Sequence, residues 1–133
     1  GINPTVIRLG KEKLRANITL RKPTTLILIY PTWWGGYPAS LIQWIHEIRQ
    51  SQSDLLQDVR TILSITTHGS SKFINLLQGE WGRSYTKNRI AKVCDHNVKL
   101  KWTSLYKIDR CTHEELESYL TKVKRDVTEF IAA

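Results

Sequence analysis

Three apolar blocks divide this chain, and the polar stretches between them carry a different period. The strongest block is Thr24 to Tyr30, TTLILIY, a nearly continuous apolar run rich in branched side chains and closed by Pro31. A run of that length and composition predicts a strand covered on both faces, as in a parallel sheet. A second block, Val59 to Thr67, reads VRTILSITT and ends at His68-Gly69. The third, Val98 to Tyr106, reads VKLKWTSLY and alternates more strictly. Alternation predicts a strand nearer a sheet edge, with one face less covered.

Helical spacing fills the gaps. In Pro38 to Gln50, residues Leu41, Trp44, Ile45 and Ile48 fall at i, i+3, i+4 and i+7 and so share one helix face. Pro38 suits the first turn, where a missing N–H is harmless. Ser71 to Gly79 and Thr86 to Cys94 predict two shorter helices. Thr112-His113-Glu114-Glu115 is a capping box, and the helix it opens is expected to run to about Phe130. Its expected buried stripe is Leu116, Leu120, Val123, Val127 and Phe130. From Thr24 onward the order is strand, helix, strand, helix, strand, helix. That order predicts an α/β protein with a mainly parallel sheet between two helical layers. Ahead of it, Thr5 to Leu9 reads as a strand and Lys11 to Arg21 as a helix.

Length and composition narrow the class without changing this picture. A chain of 133 residues is expected to form one domain, residues 1–133, with a core of its own. With 41% hydrophobic and 24% charged residues it is neither a disordered tail, a collagen-like fibre nor a disulfide scaffold. No apolar run approaches the ~20 residues of a membrane helix, and the front lacks the apolar stretch of a signal peptide. Two cysteines and no leader predict a cytoplasmic protein without membrane insertion. The chain starts at Gly1 and contains no Met, which predicts a processed form or a fragment. Its net charge of +8 is concentrated in the atypical segment 1–23, where six basic residues face Glu12 alone. A basic front end can attract nucleic acid, anionic lipid or a phosphorylated ligand, although a solvated surface is the commoner meaning. Nucleic-acid binding remains an alternative but is disfavoured. The aromatic residues sit at helix-face, strand and loop positions rather than among the basic ones.

In open parallel sheets ligands bind beyond the carboxyl ends of the strands, which directs attention to two loops. The first is Pro31-Thr32-Trp33-Trp34-Gly35-Gly36-Tyr37-Pro38. Two adjacent Trp cannot both enter one core from an extended loop, so one of them is a candidate flat wall for a planar ring. A rigid turn whose Trp residues cover the helix below is an equal reading. The second loop, Thr66-Thr67-His68-Gly69-Ser70-Ser71-Lys72, offers hydroxyls, main-chain N–H groups and one lysine. Its plainer reading is an N-cap, with Ser70 or Ser71 capping the next helix. Two Cys-x-His pairs, Cys94-Asp95-His96 and Cys111-Thr112-His113, suggest a zinc site. The strand between them sets them ~30 Å apart, which excludes both a shared metal and a disulfide. No metal site is expected.

TLILIYPTWWGGYPASLIQWI, ITTHGSSKFINLLQGEWGR and WTSLYKIDR together resemble the flavodoxin-like NAD(P)H:quinone oxidoreductases, over roughly residues 20–133. The resemblance implies a flavodoxin-like α/β/α fold, usually dimeric, binding FMN or FAD. It implies hydride transfer from NAD(P)H by way of the flavin to a quinone or similar acceptor. By position it assigns Pro31, Thr32, Trp33, Trp34 and Gly35 to one side of the isoalloxazine ring. It assigns Thr66, Thr67, His68 and Gly69 to the ring's polar edge, with His68 the candidate catalytic residue. Residues 1–23 contain no counterpart of that family's first strand and phosphate loop. The expected sheet is therefore a shortened one, and an inactive or oligomer-forming remnant is the alternative function.

Overall fold

The computed structural model describes residues 4–9, 22–32, 36–77 and 81–132. Three strands, β1 (Thr25–Pro31), β2 (Thr61–Thr67) and β3 (Lys99–Leu105), form a parallel sheet in the order β1-β2-β3. The register runs without a bulge, from Thr25 opposite Thr61 and Thr61 opposite Lys99 to Pro31 opposite Thr67 and Thr67 opposite Leu105. All three strands therefore stop at one level. Helix α1 (Ala39–Ser51) joins β1 to β2. Between β2 and β3 run α2 (Lys72–Leu77), α3 (Trp81–Tyr85), a π-helical turn over Thr86–Ile90 and a 3-10 turn over Ala91–Val93. Helix α4 (His113–Ala132) closes the chain.

Helices cover both faces, because a parallel sheet has two apolar faces to bury. On one face α1 buries Leu41, Trp44, Ile45 and Ile48, the four residues its spacing singled out. They pack with Leu28 and Tyr30 of β1, Ile62 of β2 and Ile90 of the π-helical turn. Pro38 precedes the helix, and its carbonyl accepts from the N–H groups of Leu41 and Ile42 at 3.0 and 3.2 Å. On the other face α4 packs Tyr119, Val123, Val127 and Phe130 against Leu63 and Ile65 of β2, Ile27 of β1 and Leu105 of β3. The N-cap half of the expected box forms, with the Thr112 hydroxyl accepting from Glu115 N–H at 3.1 Å. The flavodoxin-like, three-layer architecture follows from these elements.

Several expectations shift. Thr24 to Tyr30 was expected to be covered on both faces, yet β1 lies at an edge of the described sheet and Ile29 is 75% exposed. The most buried strand is β2, with Ile62 to Thr66 all buried, and among the described residues it alone has a strand on each side. On α4, Val123, Val127 and Phe130 pack inward as expected, but the fully buried residues are Tyr119 and Asp126, whereas Leu120 is half exposed. An apolar count misses them because polar atoms hold both in place. The Tyr119 hydroxyl donates to Thr66 O at 3.1 Å, and Asp126 accepts from the Thr103 hydroxyl at 2.7 Å. Thr5 to Leu9 forms no strand beyond an isolated bridge at Leu9, although Ile7 and Leu9 pack against the α1-side core. The helix expected over Lys11 to Arg21 lies outside the described residues. No helix is long and apolar enough to cross a membrane, among the residues described.

Candidate functional site

Because the strands end level, the segments that leave them meet on one side of the sheet, and they are hydrogen-bonded to one another. Thr32 follows β1 and is tied twice to the end of β2. Its N–H donates to Thr67 O at 2.8 Å, and its hydroxyl lies 2.7 Å from that of Thr66. Only one hydroxyl hydrogen is used between the two threonines. The other is available to a ligand, its internal alternative being a long 3.5 Å contact from Thr66 to Thr67 O. His68 follows β2, and its N–H donates to Leu105 O at 2.7 Å while its carbonyl accepts from Ile108 N–H at 3.0 Å. Ser70 O accepts from Lys107 N–H at 3.1 Å. The second loop is thus clamped by a third, Tyr106 to Arg110.

That third loop includes the positive-φ residue Lys107 (φ 55°), a left-handed conformation that reverses the chain so that both Lys107 and Ile108 can donate to the second loop. The ring of Tyr106 stacks on that of His68, with centroids 4.4 Å apart and planes 14° apart. His68 is consequently 4% exposed, whereas a loop histidine is ordinarily solvated. Asp109 approaches Gly69 closely. A Cβ on Gly69 would sit 3.1 Å from the Asp109 carboxylate, tighter than ordinary contact. The sequence drew attention to Tyr106 as the end of a strand, and to both Tyr106 and Asp109 within the WTSLYKIDR stretch, but gave neither a role at the site. A tyrosine immediately after a strand, opposite a loop histidine, was the signal available.

Beneath the first loop, Tyr37 is buried between Tyr30 and Tyr85 in edge-to-face contacts at 4.6 and 5.3 Å. Its hydroxyl meets that of Thr86, which in turn donates to Gly82 O at 2.9 Å. Burial raises the phenol pKa of both Tyr30 and Tyr37 far above the ordinary value, so both remain neutral. Among the described residues of this loop, Tyr37 is an aromatic anchor.

Of the residues expected at the site, Pro31, Thr32, Thr66, Thr67, His68 and Gly69 come together at the carboxyl ends of β1 and β2. Trp33, Trp34 and Gly35 lie outside the described residues. Main-chain donation is more restricted than anticipated, because the N–H groups of Thr32 and His68 are already engaged within the loops. The plainer reading of Ser71 also applies, since its hydroxyl accepts from Ile74 N–H at 3.3 Å and caps α2. Cys94 and Cys111 stand before and after β3 and are free thiols. Burial pushes the Cys94 thiol up to about 11. No group of three or more metal-ligating side chains occurs among the described residues.

An open parallel sheet with its loops joined at the carboxyl ends defines a flavodoxin-like α/β domain. Among solved structures, the chain is similar to the Smu.1420 protein of Streptococcus mutans UA159, with 27% identity and a TM-score of 0.63. That match covers 77% of this chain and 58% of the other. It is also similar to an NAD(P)H:quinone oxidoreductase from Methanothermobacter marburgensis, with 20% identity and a TM-score of 0.60, over 77% of this chain and 54% of the other. The chain thus spans little more than half the length of either. No family model and no curated protein sequence matches it.

Proposed function

We propose that this chain serves a flavin-dependent NAD(P)H oxidoreductase and that its carboxyl-end loops hold the isoalloxazine ring of FMN or FAD. The observation that carries the proposal is the junction of Thr32 and Thr66 with the clamped His68-Gly69 turn, at the end of the sheet where such folds bind their ligands. The ring side fits a flavin. The Thr32–Thr66 hydroxyl pair keeps one hydrogen for an acceptor, and Thr32 and the second loop are held by internal bonds before any ligand arrives. When bound, a flavin would supply hydride chemistry between NAD(P)H and a quinone-like acceptor. The protein's part is to orient the ring and hold protons nearby. Thr32, its hydroxyl held by that of the buried Thr66, would donate the pair's spare hydrogen to it, Pro31 and Gly69 would let the main chain approach, and His68 is the candidate for moving a proton. The Tyr106 stack fixes the His68 ring plane.

Titration with FMN, FAD and riboflavin, following the emission of the five tryptophans, tests this reading. Saturable quenching by all three, lost in Thr66→Val, is the expected result. Absence of quenching by any of them would exclude a ring site. His68→Asn should then leave ring binding intact and lower NAD(P)H-dependent quinone reduction about 100-fold, the usual scale for losing a proton-transfer group. Equal turnover in His68→Asn would remove His68 from the chemistry.

A further inference from the structure

We infer that the Asp109 carboxylate is a specificity-determining acceptor at the carboxyl-end loops, and that the group it takes is the imide N–H of a bound ring. Asp109 sits in the third loop, within the 3-10 turn Ile108–Arg110. Three main-chain bonds fix its place. Lys107 N–H donates to Ser70 O, Ile108 N–H to His68 O and Arg110 N–H to Lys107 O, at 3.1, 3.0 and 2.9 Å. The left-handed Lys107 turns the chain back so that the first two can form. The carboxylate is thereby held beside Gly69 of the second loop, and Gly69 leaves it room. The backbone of Gly69 is not left-handed, so its conformation does not call for glycine. A Cβ there would stand 3.1 Å from Asp109 Oδ2 and force it aside.

Asp109 is not used up inside the fold. It is exposed, and Lys107 and Arg110 are exposed cations close to it in sequence. Yet among the described residues its carboxylate makes no hydrogen bond or ion pair. An ionised carboxyl accepts hydrogen bonds and donates none. The neighbouring acceptors of the second loop are engaged. The carbonyls of Thr67, His68 and Ser70 already accept from the N–H groups of Thr32, Ile108 and Lys107. The His68 ring is buried in its stack with Tyr106. What the loops offer a ligand is therefore one spare hydrogen, from the Thr32–Thr66 pair, and one exposed anionic acceptor.

The inference rests on the reading of these loops as a flavin-ring site, and it names what in the ring is recognised. An oxidised isoalloxazine ring carries a single N–H, the imide N–H between its two carbonyls, and its other polar ring atoms accept. A spare donor and a fixed acceptor match such an edge. An N–H that donates to a carboxylate makes a charge-assisted bond, about twice as strong as a neutral one. Its loss is therefore readable in binding, without any turnover.

The experiment is equilibrium binding of riboflavin and of 3-methylriboflavin, whose imide nitrogen carries a methyl group in place of hydrogen. Tryptophan emission is followed in the full chain, in Asp109→Ala and in Asp109→Asn. The unaltered chain should bind riboflavin about tenfold more tightly than the methyl analogue, or better. Asp109→Ala should bring riboflavin down to the level of the analogue and leave the analogue unchanged. Asp109→Asn keeps a neutral acceptor oxygen and should retain part of the preference. Equal binding of the two ligands by the unaltered chain would overturn the proposal. So would an equal loss of both in Asp109→Ala, which would make Asp109 a support of the loops. A rise of the analogue to the riboflavin level in that variant would also overturn it, because the methyl group would then merely have clashed. Binding of neither ligand would remove the ring site itself, and this inference with it. Riboflavin binding that Thr66→Val abolishes but imide methylation leaves unchanged would keep the ring site and take Asp109 out of it.

Discussion

Asp126 is the charged group held inside the contact between α4 and the sheet. Burial opposes its ionisation. The Thr103 hydroxyl and the Lys101 and Arg125 cations, at 2.7, 3.1 and 3.5 Å, outweigh that and hold its carboxyl below the usual range. A carboxyl whose pKa is lower in the folded than in the unfolded chain stabilises the fold at every pH above about 4. That contribution fades as pH falls through the folded value. Asp126→Asn should therefore flatten the dependence of stability on pH below about 4, as followed by urea midpoints across an acid series. Asp126→Ala leaves Lys101 and the Thr103 hydroxyl facing a gap and should cost about 3 kcal/mol at pH 7. A loss under about 1 kcal/mol would mean that the pair is merely tolerated. Gly82 predicts the opposite sign. It is helical, and a methyl there would meet Tyr37 carbons at 3.5 and 3.6 Å and the Tyr30 hydroxyl at 3.7 Å, all ordinary contacts. Gly82→Ala should stabilise by roughly 0.5–1 kcal/mol by removing freedom from the unfolded chain. A lower melting temperature would show that the tyrosine cluster has no room.

At the scale of elements, one helix provides the contrast that tests how the layers pack. Leu63 of β2 is fully buried beneath α4, so Leu63→Ala should cost about 3 kcal/mol in chemical denaturation. Leu120 belongs to the helix that covers it, yet Leu120→Lys should change stability by no more than about 0.5 kcal/mol. A large loss there would mean that Leu120 is packed more closely than its 50% exposure implies. The same contrast explains what the sequence could and could not reveal. Period and length identified all three strands, α1 with its four buried residues, and the cap of α4, because local pattern determines each. Tyr119 and Asp126 escaped because they are inward residues selected by polar partners on β2 and β3, distant in sequence. Ile29 misled for a different reason. The apolarity of β1 records the covering it suits, and pattern alone does not tell which residues provide that covering. At the site, the two loops were legible from their glycines, hydroxyls and aromatics. The clamp by Tyr106, Lys107 and Asp109 was not, since it depends on β2 and β3 ending at the same level.

For the whole molecule, the net charge of +8 raises a question that the loops alone do not. A strongly basic protein attracts any phosphate ester, whether or not it has a place for one. In the chain alone, a preference for FMN over riboflavin would then arise from the summed field rather than from a built contact. Such a preference is screened once the Debye length falls below the spacing of the charges, from about 30 Å at 0.01 M salt to about 10 Å at 0.1 M. The FMN-to-riboflavin affinity ratio should therefore fall several-fold between those salt concentrations and approach one above them. On the proposed ring site, riboflavin binding itself should barely change, because the Thr32–Thr66 pair and the clamped second loop would act on a neutral ring by hydrogen bonding and packing. A phosphate contact made by N–H groups at a loop is short-ranged and partly desolvated, so it resists salt far better. A ratio that stays high at 0.3 M salt would thus locate a built phosphate site in the chain itself.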